Sequence, residues 1–382
     1  MEDTANSSNF SCSPSSPTSL ADCIIKIVIF TFMSIFILFG NGLVVWIVLT
    51  TKRMRTVTNY FLVNLSLGDM LSVFQIIPNV YVNIANDWPF GLAYCRFSQF
   101  FTAFSIALSV LTFTGLTADR YIAIKYPLRP RSKPSTILCI IGCIWVVSFL
   151  IGLPALIASH IEVHKPCSSY ESTTTTSARH LNSTDEQDFQ LSCILNWTDE
   201  SGLAYDIALF ILMYILPMMI LFATYVPITV KLWSDRGLGE ITRAQTDSIQ
   251  SKRRVVKMLI AVMVIFAICW LPYQLFFLSL RATKDDNNPI LPIIFICCYG
   301  LAMSNSMYNP IVYCIMNRRF RDGFLNVIGC CPFVKHYRRK CQRTRFYRNF
   351  QTMLVSSEVG DPNVTGTQLS QRFDNHEKAS VK

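Results

Sequence analysis

ILCIIGCIWVVSFLIGLPALIA, running from Ile137 to Ala158, contains no Asp, Glu, Lys or Arg. A helix rises about 1.5 Å per residue, so roughly 20 such residues cross the roughly 30 Å hydrocarbon core of a bilayer. Apolar side chains cover every face of that helix rather than one stripe, and lipid would leave an open sheet edge without partners, so a strand is disfavoured. Six further windows share the property: Ile24–Leu49, Tyr60–Val82, Phe97–Ile124, Leu203–Val230, Val255–Leu280 and Ile290–Ile315, with polar segments between them. Composition agrees, since 51% of the 382 residues are hydrophobic and only 15% charged. That balance excludes an ordinary soluble domain and a wholly disordered chain. The predicted fold is an all-α membrane protein, a seven-transmembrane helix bundle.

The net charge of +10 admits nucleic-acid binding or a membrane protein with basic cytoplasmic loops. Position decides between them. The segments after spans one, three and five plus the tail hold 28 of the 34 Lys and Arg, giving that face +19 against −8 on the other. The positive-inside rule then predicts a cytoplasmic C-terminus and an extracellular N-terminus, and topology accounts for the charge without nucleic acid. Residues 1–23 lack the basic and apolar stretches of a cleaved signal peptide, so span one is expected to serve as the insertion signal. Acceptor sequons at Asn6, Asn9, Asn182 and Asn196 all fall on the expected outer face, whereas the one at Asn363 falls inside and is expected to stay unmodified. Of 14 cysteines, Cys12, Cys23, Cys95, Cys167 and Cys193 lie outside, where disulfides persist; the odd number leaves at least one of them free or paired with another chain. No internal repeat relates two halves of the chain, as many transporters would require.

Ionisable groups inside a bilayer are costly, and Asp69 stands alone in mid-span. It ends Asn64-Leu65-Ser66-Leu67-Gly68-Asp69 in span two. Span one contributes Gly40-Asn41-Gly42; span three closes with Asp119-Arg120-Tyr121; span six carries Phe266-Ala267-Ile268-Cys269-Trp270-Leu271-Pro272; span seven holds Asn305, Ser306 and Asn309-Pro310-Ile311-Val312-Tyr313. Together and in this order, these five patterns resemble those of rhodopsin-like G-protein-coupled receptors. The resemblance narrows with Asn86-Asp87-Trp88-Pro89-Phe90-Gly91 before Tyr94-Cys95-Arg96-Phe97, with Lys252-Arg253-Arg254-Val255-Val256-Lys257-Met258, with Leu301-Ala302-Met303-Ser304 and Met307-Tyr308-Asn309-Pro310, and with Cys330-Cys331-Pro332-Phe333. These look like tachykinin (neurokinin) receptors over about Gly40 to Val334, leaving out the termini and most of the loop Ser159–Gly202.

The resemblance implies a bound neuropeptide and a heterotrimeric G protein, usually of the phospholipase-C-activating class and hence read as calcium. It implies that Asp119 holds Arg120 at rest, that span six swings outward on activation, and that Tyr225 and Tyr313 then face Arg120. Pro217, Pro272 and Pro310 each remove a backbone donor, which is where bending would be absorbed. Trp270, with Phe266, Val110 and Pro217 beneath it, is the expected coupling element. Asp69, Ser109, Asn305 and Asn309, with Asn41 nearby, would supply the oxygens that a sodium ion prefers, the alternative being a water-filled polar network. Cys95 and Cys193 are similar to the family's disulfide pair, with Cys167 the rival partner.

For the ligand, Thr102 stands where amine receptors of the superfamily place an Asp, and span seven lacks the Lys of an opsin. What remains, an acidic outer face with aromatic neighbours, suits a peptide carrying Arg or Lys and an amidated or apolar end. Gln99, Thr102, Asp206, Tyr273, Gln274, Phe277 and Tyr299 are the candidate ligand-binding residues. Vertebrate tachykinin receptors carry His at several positions that here read Ser98, Asp206 and Gln274. An invertebrate-type peptide ending in an amidated Arg would suit Asp206, against which stands a merely solvated carboxylate at the loop edge.

The expected organisation is an extracellular glycosylated segment 1–23, the bundle 24–316, a short amphipathic eighth helix with acylation candidates Cys330 and Cys331 at 317–334, and a disordered cytoplasmic tail 335–382. Lys335–Arg348 interleaves basic and aromatic residues, a composition read here as lipid binding or solvation. Ser356, Ser357, Thr365, Thr367 and Ser370 are candidate sites for receptor kinases and arrestin. An enzyme is not expected: no phosphate-cradling loop or nucleophile elbow occurs. His160 and His164, four apart with Cys167 following, lack the arrangement of a zinc protease. Besides a tachykinin-type receptor at the plasma membrane, the alternatives are a receptor for another neuropeptide family and a transporter or channel.

Overall fold

Ser19 starts the first helix, its hydroxyl accepting the Ala21 N–H at 3.3 Å, with Asp22 favourably placed in the first turn. The computed structural model describes residues 19–126, 133–164, 190–197, 199–234, 243–283, 290–327 and 329. Among these are seven helices long and apolar enough to cross a membrane: Leu20–Thr50, Val57–Ala85, Gly91–Lys125, Pro134–Ala158, Ser201–Val230, Arg253–Leu280 and Leu291–Met316, here spans one to seven. Most run past the apolar windows because their end turns are polar and carry no hydrophobic signal. Phe32, Phe39, Trp46, Val146, Leu150, Phe222 and Ile268 are among many large apolar side chains left exposed. A surface of that kind belongs in lipid, and the chain is a multi-pass membrane protein.

Span three is the most buried and packs on spans two, four and five. A Cβ at Gly152 would come within 2.9 Å of the Phe100 ring, so span four approaches span three this closely only with glycine there. Asn64 joins three helices. Its Nδ2 donates to Thr112 Oγ1 at 2.7 Å and its Oδ1 accepts from Trp145 Nε1 at 2.7 Å.

Several helices depart from regularity. Span two breaks at Ser72, where the Gln75 N–H bonds the Ser72 carbonyl only three residues back, and it contains Pro78. Span five widens to a π-helix over Ile211–Ile215 just before Pro217, a local insertion of the kind that redirects a helix face. Spans six and seven contain Pro272 and Pro310.

Between spans four and five lies an antiparallel pair that the hydrophobic windows did not signal: β1, Ser159–His164, and β2, Gln190–Leu195, in register Ile161↔Cys193. Cys193 is disulfide-bonded to Cys95 at the start of span three, which decides between the two partners left open above. Asn86 ends span two in the left-handed conformation, φ 52°. Trp88 then buries its ring and donates Nε1 to the Gly91 carbonyl at 3.0 Å. Asp87 Oδ1 accepts the Leu191 N–H at 2.9 Å, fastening β2 from the other side.

After span seven, Asn317 leaves helical conformation and its Oδ1 accepts the Arg319 N–H at 3.1 Å. The helix Arg318–Val327 follows, with Arg and Phe at helical spacing. Asn6, Asn9, Asn182, Cys330, Cys331 and the tail 335–382 lie outside the described residues.

Candidate functional site

At the hairpin end, spans six and seven face each other with aromatic rings. Tyr273 and Phe277 lie 4.9 Å apart between centroids, Tyr273 and Tyr299 6.2 Å, and Tyr299 stacks between Phe295 at 5.7 Å and Phe30 of span one at 5.9 Å. Asp206 of span five is half-buried and lies within electrostatic range of Tyr205 and Tyr273. Tyr205 stacks on Trp197, directly after β2, at 5.1 Å. Gln99 Nε2 reaches Cys193 Sγ at 3.9 Å, so Gln99 lies against the disulfide. Thr102 is half-buried but gives its hydroxyl proton to the Ser98 carbonyl of its own helix at 2.9 Å. Gln274, also half-buried, adjoins Tyr273.

The sequence reading missed a polar stripe on span two. Gln75, Asn79 and Asn83 are four residues apart and so share a helix face. Asn79 Nδ2 lies 3.5 Å from the Tyr299 hydroxyl, and Asn83 Nδ2 donates to the Pro292 carbonyl at 3.2 Å. Gln75 is fully buried. Phe30 and Phe295 were missed as well, because uniformly apolar helices give no indication of which face turns inward.

Below this cluster Trp270 meets Tyr273 at 5.7 Å and Phe266 at 6.0 Å, and Phe266 meets Phe113 of span three at 6.1 Å. Trp270 and Phe266 are both buried in the bundle rather than turned to lipid. Val110, Phe113, Pro217 and Phe266 line a small apolar gap, so the expected packing beneath Trp270 is present. Tyr214, in the π-helix, donates its hydroxyl to the Ala267 carbonyl of span six at 3.1 Å.

One layer further, Asp69 is buried with both oxygens engaged. Ser306 Oγ donates to Oδ1 and Asn309 Nδ2 to Oδ2, each at 2.8 Å. Asn41 Nδ2 donates to the Ser306 carbonyl at 3.0 Å. Ser109 is buried with its Oγ against Gly68. The Oδ1 atoms of Asn41, Asn305 and Asn309 are buried without a hydrogen-bond partner; of these residues, Asn309 contacts the Asp69 carboxylate directly. Ser306, not among the expected ion ligands, holds Asp69 directly.

Elsewhere, no cluster of three or more His, Cys, Asp or Glu occurs among the described residues. His160 and His164 belong to β1, where a separation of four residues spans roughly 13 Å, too far to share one ion.

The profile of the 7 transmembrane receptor (rhodopsin family) matches residues 40–313. This chain belongs to that family. It is similar to the Tachykinin-like peptides receptor 99D of Drosophila melanogaster, 42% identical over 304 residues that cover 78% of this chain and 55% of that receptor. It is similar also to the human Neuromedin-K receptor, 34% identical over 347 residues, 87% of this chain and 70% of the relative. The human Substance-P receptor is 35% identical over 301 residues, 77% of this chain and 68% of that one. The match thus spans little more than half the length of the Drosophila relative.

In this rhodopsin-family receptor the end opposite the hairpin is held differently. Arg120 Nε donates to Asp119 Oδ2 at 3.0 Å, both side chains being partly accessible. Tyr225 is buried, accepts from Thr117 Oγ1 at 3.2 Å and lies within electrostatic range of Arg120. Tyr313 is buried with its hydroxyl unpaired and its ring 5.9 Å from Phe320. Tyr121 points elsewhere, its hydroxyl accepting from Lys125 Nζ at 2.7 Å. The receptor thus has Arg120, Tyr225 and Tyr313 near the same end, with a partly accessible ion pair rather than a disulfide holding the central charge.

Proposed function

We propose that this chain is a plasma-membrane receptor for an amidated peptide of the tachykinin type and that it acts by promoting nucleotide exchange on a heterotrimeric G protein, read out as calcium. The observation that carries this is the run of ring contacts from the aromatic cluster of Tyr273, Phe277 and Tyr299, through Trp270 and Phe266, to Phe113 of span three, the helix whose far end carries Arg120. An aromatic cup with Asp206 at its side and a disulfide-tethered hairpin beside it suits a peptide with apolar and cationic groups. Tethering lowers the ordering cost when such a ligand binds. The relatives named as tachykinin-like peptide, neuromedin-K and substance-P receptors support the same ligand class. Gln99, Thr102 and Gln274 complete the proposed wall.

The asymmetry of Lys and Arg supports an extracellular N-terminus and cytoplasmic C-terminus. In that orientation Asn6, Asn9, Asn182 and the exposed Asn196 are offered for glycosylation, and Cys330 and Cys331 for acylation. Arrestin, receptor kinases and anionic lipid are the further partners, engaging the basic and Ser/Thr-bearing tail. Asp119 restrains Arg120 at rest; bending of span six at Pro272 frees Arg120 for the G protein, with Tyr225 and Tyr313 lining the opened space.

Sodium would suit the Asp69 layer, where the carboxylate and the buried, unpaired oxygens of Asn305 and Asn309 offer hard oxygen donors. Bound there, it would neutralise Asp69 and stabilise the resting state, with Ser109 a further oxygen. Asp69→Asn is expected to abolish any dependence of agonist affinity on sodium; affinity in the unaltered receptor that ignores sodium concentration contradicts this assignment.

The receptor reading is tested by intracellular calcium in cells expressing the chain, challenged with tachykinin-type amidated peptides ending in Met or in Arg and with unrelated neuropeptides. A saturable response to one tachykinin class, lost in Arg120→Ala, is expected. Silence at verified surface expression, with a response to another peptide, overturns the tachykinin assignment. Asp206→Asn is expected to weaken an Arg-ended peptide more than its neutral analogue, and equal losses would remove Asp206 as the charge partner.

A further inference from the structure

Pro78 lies inside the helix Val73–Ala85 and has no N–H to give to the carbonyl one turn back, that of Phe74. In a bilayer such a carbonyl cannot turn to water and needs a donor from elsewhere in the protein. It has one: the Tyr94 hydroxyl of span three donates to the Phe74 carbonyl at 2.9 Å. The Tyr94 ring is held 5.5 Å from Phe90 and 6.3 Å from Trp88, in the loop that also fastens β2 through Asp87. Its chain neighbour is Cys95, anchored by the disulfide to Cys193. The donor is therefore mounted beside the disulfide and the loop that fastens β2.

The segment that it braces needs an outside reference. Span two is interrupted at Ser72, so Val73–Ala85 does not simply continue the helix that carries Asp69. Beyond Pro78 this segment brings Asn79 to the Tyr299 hydroxyl and Asn83 to the Pro292 carbonyl, both on span seven. Asn79 also donates to the Gln75 carbonyl at 2.7 Å, a second side chain reinforcing the backbone around the proline.

We infer that Tyr94 is a positioning residue for the ligand cup: its hydroxyl replaces the hydrogen bond that Pro78 removes and sets the angle at which span two presents Asn79 and Asn83 to span seven. The bond itself rests on geometry alone, while its role in binding rests on the receptor reading above.

Tyr94→Phe keeps the ring and removes only the donor; Pro78→Ala restores a backbone N–H beneath the same carbonyl. The two are combined in a double-mutant cycle in the full-length receptor. Amide hydrogen exchange over Val80–Ala85, measured without ligand, is expected to speed up about five- to tenfold in Tyr94→Phe and to change less than about twofold when Tyr94→Phe is made in Pro78→Ala. Peptide potency in the calcium assay is expected to fall by a similar factor in the first case and to recover in the second, with the maximal response unchanged. Equal acceleration of exchange in both backgrounds overturns the brace. Coupled exchange with unaltered potency overturns its role in the cup. Should no peptide activate the unaltered chain, the receptor reading fails while the exchange cycle still decides whether Tyr94 positions span two.

Discussion

The prolines of spans two and seven differ from that of span six. Pro78 and Pro310 each orphan a carbonyl four residues back, and each time a side chain from another helix supplies the missing donor: Tyr94 to Phe74 and Asn41 to Ser306. Pro272 orphans the carbonyl of Ile268, and among the described residues no side chain donates to it. Across span six the nearest contact of this type is Tyr214 to the Ala267 carbonyl, one residue away and carried by the π-helix of span five. The difference separates kinks with a set angle from a kink that is free to change. It places the mobile element where a ligand against Tyr273 and Phe277 would be felt first, because Tyr273 follows Pro272 directly and Phe277 lies one turn beyond it.

Pro272→Ala should have the largest effect, since the added N–H closes the open turn at Ile268. Agonist-evoked calcium is expected to drop more than about tenfold in potency or amplitude at unchanged surface expression, an estimate based on roughly 1.4 kcal/mol or more of added bending cost. A normal response would place the bend elsewhere. Asn41→Ala is the mirror experiment, opening a braced kink by orphaning the buried Ser306 carbonyl. Thermal unfolding of the solubilised receptor should reveal a loss of about 1–3 kcal/mol, most of it recovered by adding Pro310→Ala. The loss should persist unrecovered if Asn41 contributes only through its second bond, to the Ile37 carbonyl at 3.0 Å.

The smallest effect is expected at Tyr214→Phe. This change removes one hydroxyl bond of about 1 kcal/mol that holds span six to span five at rest. Ligand-independent signalling should rise by about fivefold, and an unchanged baseline would show that the bond persists in both states.

How much of this was legible in the sequence follows the same division. Seven apolar windows and the lone Asp69 could be read directly because length and charge in lipid are one-dimensional properties. The layer Asp69, Asn309 and Asn41 was placed by its motifs; the structure bonds Asn309 to Asp69 directly and links Asn41 to Asp69 only through Ser306. Pro272 and Pro310 were both expected to bend, but nothing in the chain distinguished a braced proline from a free one. That distinction depends on which side chain reaches a particular carbonyl from another helix. Tyr94 is twenty residues from its partner and Asn41 is 265 residues from Ser306. The Gln75, Asn79 and Asn83 stripe was visible as spacing, yet its inward direction, toward Tyr299 and Pro292, shows only in contacts between helices. Ser306 was quoted within its motif without a role because a serine in an apolar helix most often bonds its own backbone.

On the proposed reading, a peptide bound at the aromatic cup bends span six at Pro272 and opens the Arg120 end. Spin labels at the exposed positions Arg53, beside span one, and Arg254, at the end of span six, read that opening directly. With the peptide that evokes calcium, the distance distribution between them should shift outward in the unaltered receptor and stay in place in Pro272→Ala. An active receptor whose label distance does not change, or a shift that survives Pro272→Ala intact, would contradict the account.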